Sequence, residues 1–76
     1  MTVFNYISHN FDQIKKETWI GLIPCSVLKH WEIYSRYDYY LKTGNSPSRA
    51  ILYASDDFKI TVRWGYKIIK KMGEEI

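Results

Sequence analysis

The tetrapeptide Gly44-Asn45-Ser46-Pro47 constrains this chain more than any other stretch. Glycine takes the left-handed conformation that closes a helix, and serine caps the next one. Proline suits a first helical position because its missing N–H would be unpaired there anyway. Four consecutive residues therefore end one helix and begin another. Downstream, Ile51, Ala54, Ser55 and Phe58 keep the i, i+3, i+4, i+7 spacing of a helix of about 11 residues. Upstream, the stretch from Pro24 to Leu41 or Lys42 reads as a longer helix, with Pro24 at its first position and Gly21 as the break before it.

The same spacing recurs at both ends of the chain. Phe4, Ile7, Phe11 and Ile14 line one side of a helix over residues 3–17, for which Thr2 is the natural N-cap. Asn5, Ser8, His9 and Asn10 are mediocre helix formers, so this helix depends on packing. Lys59-Ile60-Thr61 is long enough for a sharp turn and no more, and Thr61 caps a last helix over residues 62–72. The expected fold is a single all-α domain of four helices. Residues 2–45 form a two-helix scaffold, and residues 46–73 form a second pair of helices.

On a wheel of about 100° per residue, the long helix carries Val27, Trp31, Tyr34 and Leu41 on one stripe, with Leu28 at its flank. Ile33 and Tyr40 fall nearly opposite, with Tyr37 between. A helix apolar on two sides is central to a bundle or covered by a partner chain, so Ile33, Tyr37 and Tyr40 are the candidate interface residues. Asp38, inside the main stripe, is expected to hydrogen-bond a tyrosine, an arginine or a helix N-terminus.

Size and composition exclude several functions. A chain of 76 residues buries only roughly 60% of the surface it exposes when unfolded, which leaves one modest core and no room for a deep catalytic pocket. No enzyme, cofactor or small-molecule substrate is expected. The one cysteine, Cys25, cannot form an internal disulfide, and a buried or inert thiol is expected there; with His9 and His30 it makes a poor metal set, so no metal is expected. A reducing compartment fits a lone thiol. The longest mainly apolar stretch, Trp19 to Leu28, is broken by Gly21, Pro24 and Ser26 and falls far short of the ~20 residues that span a bilayer. The start MTVFNYISHNF lacks the basic, apolar and small-residue blocks of a secretory signal. The expectation is a cytoplasmic protein with no membrane partner.

Charge is the most directional signal. The formal net charge is +3, but it is not spread evenly. Residues 1–58 balance Lys15, Lys16, Lys29, Arg36, Lys42 and Arg49 against Asp12, Glu17, Glu32, Asp38, Asp56 and Asp57. Residues 59–72 hold Lys59, Arg63, Lys67, Lys70 and Lys71 with no acid, and Glu74 and Glu75 follow. The last helix also divides by face: Gly65, Ile68 and Met72 cluster, flanked by Trp64 and Ile69, while Arg63, Tyr66, Lys67 and Lys70 point the other way. A basic face with one aromatic, on a helix joined by a short turn to a smaller one, matches the mechanics of a major-groove reader.

The stretch SRAILYASDDFKITVRWGYKIIKKM, Ser48 to Met72, resembles bacterial helix-turn-helix segments of the homeodomain-like and sigma-factor region 4 type. Phe58 matches the aromatic or aliphatic closer of the first helix, Ile60 the buried turn residue and Thr61 the cap. Tyr66-Lys67-Ile68-Ile69-Lys70-Lys71 matches the end of the reading helix. The resemblance covers about a third of the chain and departs from the pattern at three positions. Lys59 stands where glycine is usual, Ser55 where alanine is usual, and Gly65 where a buried valine or isoleucine is usual. Glycine there is expected to permit close helix approach, with Trp64 filling the space.

The resemblance implies double-stranded DNA as the partner, in transcriptional or mobile-element regulation of a bacterial or phage type, and a nucleoid-associated location. It puts Thr61, Val62, Arg63, Tyr66 and Lys67 nearest the base edges and Lys59, Lys70 and Lys71 on phosphates. Ser46 and Ser48 are further phosphate candidates. One such module is small, so a homodimer reading two half-sites is expected. The alternative is a non-enzymatic protein-interaction module that uses the Tyr-rich helix.

Overall fold

The computed structural model describes residues 1–75, and among them every regular element is helical. The order is α1 (Val3–His9), α2 (Phe11–Trp19), α3 (Ser26–Lys42), α4 (Pro47–Asp57) and α5 (Val62–Met72). The class is all-α, with five helices in place of the expected four. The extra one arises at Asn10, whose backbone leaves helical geometry at φ −115° and ψ 25°. Its Nδ2 donates to the Tyr6 carbonyl at 2.9 Å, beside the 3.2 Å bond from its own backbone N–H to the same oxygen. Asparagine competes in this way with the helical ladder. The apolar stripe continues across the break, since Ile7 and Ile14 are both buried.

A second difference lies at Pro24. It precedes α3 by two residues instead of opening it; the Val27 N–H bonds to its carbonyl at 3.1 Å, and Cys25 is the flanking residue. Cys25 is exposed, not buried. The other starts fall where the sequence puts them. Thr2, Ser46 and Thr61 each accept a hydrogen bond from the backbone N–H three residues on, Asn5, Arg49 and Trp64 respectively.

Three helices end in one hydrogen-bonding pattern. Gly21 after α2 has φ +88° and Gly44 after α3 has φ +98°. In each case the glycine N–H and the N–H of the next residue reach back to the last turn: Gly21 to Thr18 and Leu22 to Glu17, Gly44 to Leu41 and Asn45 to Tyr40. These are Schellman closures, in which the left-handed residue turns two N–H groups onto carbonyls the helix leaves unpaired. After α4 the same two bonds form, Lys59 to Asp56 and Ile60 to Ser55, but the left-handed residue is Lys59 at φ +54°.

The helix α3 is central. Its Trp31 and Tyr34 take the rings of α1 and α2: Phe4 lies 4.5 Å from Tyr34 and Phe11 lies 4.7 Å from Trp31, centroid to centroid. The Trp31 indole N–H donates to Ser8 Oγ at 2.9 Å, which satisfies the polar edge of a half-buried ring. Ile33, nearly opposite on the wheel, is 1% exposed and joins Ile68 and Met72 of α5 in the core. Ile33 is therefore core and not interface, because α4 and α5 supply from within the chain the cover a partner would have given. The ends of the described chain also meet, with the Val3 N–H on the Glu74 carbonyl at 2.9 Å.

Candidate nucleic-acid interface

The surface around α5 is set by how α4 holds it. Ala50, Ile51, Ala54 and Ser55 form the buried face of α4, and Gly65, Ile68, Ile69 and Met72 the buried face of α5. The two helices approach closely where Ser55 meets Gly65, since a Cβ on residue 65 would collide with Ser55 Oγ. Phe58 and Ile60, on either side of Lys59, pack against the core and hold the turn down. α4 and α5 are thus joined by a small-residue contact at one place and a Schellman turn at another.

With that face buried, Thr61, Val62, Arg63, Tyr66, Lys67, Lys70 and Lys71 are all exposed, as is Lys59 in the turn. Among the described residues Lys59, Arg63, Lys67 and Lys70 take part in no ion pair, while Lys71 sits 3.5 Å from Glu74. Two acids precede the turn: Asp56 is exposed and in no ion pair among the described residues, and Asp57 is turned toward α3. It accepts a 2.6 Å hydrogen bond from the Tyr40 hydroxyl and lies 3.6 Å from Arg36. That hydrogen bond is the main reason the Tyr40 hydroxyl titrates above its ordinary value. The outward side of α5 and the turn before it thus carry four cations in no ion pair among the described residues.

Trp64 departs from expectation. It is 48% exposed and fills no gap beside Gly65, because Ser55 already occupies that space. Its ring meets His30 of α3 edge-on at 6.4 Å, and Lys67 Nζ lies 6.0 Å above it. His30 and Trp64 thus extend the basic face sideways onto the start of α3. A wheel of α5 alone gives no sign of His30; the flank position of Trp64 is the one sequence trace of this patch.

The remaining sites fall elsewhere. Ser46 has its hydroxyl engaged by the Arg49 N–H at 3.4 Å, and Ser48 is exposed on the first turn of α4. Tyr37 and Tyr40 are half-buried against neighbouring rings, Tyr34 at 5.5 Å and Tyr53 at 5.4 Å. Asp38 pairs with Lys42 one turn on, at 2.8 Å, and not with a tyrosine, arginine or helix start. A shallow hollow beside Phe58 is lined by Trp31, Glu32, Ser35, Arg36 and Tyr39. Around the α2–α3 connection Trp19, Ile20 and Leu22 are 90%, 67% and 74% exposed. No helix among the described residues is long and apolar enough to cross a membrane. No protein family, no curated protein and no solved structure matches this chain.

Proposed function

We propose that this chain binds double-stranded DNA, with α4 braced against the phosphate backbone and α5 lying in the major groove. The observation that carries the reading is the set Lys59, Arg63, Lys67 and Lys70, in no ion pair among the described residues, on α5 and the turn before it, where α5 meets α4 closely at Ser55 and Gly65. Affinity comes from release of the counterions that the lysines displace from phosphates. Selectivity comes from base edges within reach of the first two turns of α5, where the Arg63 guanidinium can pair bidentately with guanine. Regulation of transcription or of a mobile element is the role that the helix-turn-helix resemblance implies. A dimer with two such helices one turn of duplex apart would multiply the small area of one module.

Anisotropy of a labelled duplex, titrated between about 50 and 200 mM salt, tests the reading. Three phosphate contacts, from Lys59, Lys67 and Lys70, give a log–log slope of about −2.7, at about −0.9 per contact. Binding that ignores salt, or none at low salt, rejects it. A second reading, a protein-interaction module, is favoured by a different surface from the Tyr-rich helix. Trp19, Ile20 and Leu22 are each largely exposed within four residues of chain, and exposed apolar surface of this kind marks contact sites. Under that reading Trp19→Ser abolishes partner capture, and Lys67→Ala leaves it intact.

A further inference from the structure

The reading face of α5 has two chemistries side by side. Arg63, Lys67 and Lys70 form its cationic centre, and beside them stand Val62 and Tyr66, one turn apart on the same side of the helix. Val62 is 38% and Tyr66 51% exposed, and neither packs against the core. Among the described residues Tyr66 makes no ring–ring contact. Val62 thus keeps more than a third of its surface open at a first helical position, where Ala or a polar residue serves the helix better than a β-branched one.

In the major groove the apolar group that rewards such a surface is the 5-methyl of a pyrimidine, carried ordinarily by thymine and otherwise by methylated cytosine. We propose that Val62, backed by Tyr66, is a specificity residue that receives a pyrimidine 5-methyl group on the base pair next to the guanine read by Arg63. This rests on the DNA-binding reading and names the base chemistry recognised there. Adjacent residues at the start of the helix would read adjacent base pairs, one by hydrogen bonds and one by methyl contact.

The test uses the duplex that the full chain enriches from a random pool, resynthesised with uracil for thymine and, separately, with 5-methylcytosine for cytosine. Uracil removes only the methyl group and leaves pairing and phosphates intact. Loss of one buried methyl weakens binding by about fourfold. In Val62→Ala the penalty disappears, while Val62→Thr, which keeps one methyl, retains part of it. The far-UV circular dichroism of both variants checks that they remain folded. A uracil penalty abolished by Val62→Ala supports thymine as the source. Tighter binding to the methylcytosine duplex alone, lost in Val62→Ala, supports the same contact with the other source. Duplex binding that ignores both substitutions, or a penalty unchanged in Val62→Ala, overturns the inference and leaves DNA binding standing. Failure to bind or enrich any duplex overturns both.

Discussion

The hydroxyl of Ser55 occupies the place that a side chain on residue 65 would need. It is buried there without a hydrogen-bond partner, so α4 and α5 meet through a polar group that the crossing leaves unsatisfied. An unpaired buried hydroxyl is destabilising, and a glycine inside a helix costs roughly 1 kcal/mol relative to alanine. Both costs accompany the close approach that sets the tilt of α5.

The pair should therefore behave non-additively. Gly65→Ala alone has to displace the Ser55 hydroxyl or push α5 away, for a net loss of about 1–2 kcal/mol after the gain in helix propensity. Ser55→Ala alone should be neutral or slightly stabilising. The double variant keeps a Cβ contact at 3.4 Å, tight but tolerable, and an ordinary one with Ile51 Cγ2 at 3.8 Å, and should equal or exceed the parent in stability. Urea unfolding of the four proteins gives the coupling, expected at about 1–2 kcal/mol. Additive effects would show that the two residues do not meet as described.

Lys59 gives a second stability prediction, and one that opposes function. A side chain in the left-handed region costs on the order of 1–2 kcal/mol, and the glycines at Gly21 and Gly44 avoid that cost in the same closure. Lys59→Gly should raise stability by about 0.5–1 kcal/mol, or several degrees in a domain this small. It should also lower the salt slope of duplex binding by nearly one, if Lys59 meets a phosphate. Thermal unfolding and the salt titration read the two effects separately.

Gly44 and Lys59 also show how much of the fold is legible in the sequence. The limits of α4 and α5 and the capping roles of Thr2, Ser46 and Thr61 were legible because caps and apolar spacing are local codes. Gly44 and Lys59 close helices by the same bonds, yet only the glycine announces it, since lysine has no preference for positive φ. Asn10 was legible as a weak helix former but not as a break, because the break depends on its side chain finding the Tyr6 carbonyl. The spacing places Ile33 on a second apolar stripe, but which chain covers that stripe is a tertiary fact. The cationic side of α5 followed from its own wheel; the His30–Trp64 contact joins two distant helices and could not.

Alkaline pH should weaken one specific tie. Tyr40 titrates above its ordinary value of 10.0, first because its hydroxyl donates to Asp57 and then through burial and the Asp57 charge, with Arg36 opposing. A proton held more tightly in the folded state contributes stability that is full below the unfolded value and is lost as pH rises through the folded one. Tyr34 adds to the same trend, chiefly through burial. Tyr40→Phe lacks the hydrogen bond at every pH. Its deficit against the parent should thus be constant near neutrality and shrink above about pH 10. Urea midpoints of both proteins across pH 7–11 measure this, and a deficit that stays flat to pH 11 would remove Asp57 as the cause.

The five basic residues at the end of the chain should not contribute equally to duplex binding. Lys71 is 3.5 Å from Glu74, so part of its charge is already answered within the protein. Arg63, Lys67 and Lys70 have no such partner among the described residues. Lys67→Ala and Lys70→Ala should each flatten the salt slope by about 0.9, whereas Lys71→Ala should change it less. Arg63→Ala should in addition relax base preference, with a loss of about 1–3 kcal/mol on the preferred duplex and little on others. Glu74→Gln reverses the sign: it releases Lys71 and removes a repelling charge, so affinity should rise modestly at low salt and converge with the parent at high salt. Equal slope changes for all three lysines, or weaker binding by Glu74→Gln, would place the phosphate-facing surface elsewhere than on the outward side of α5.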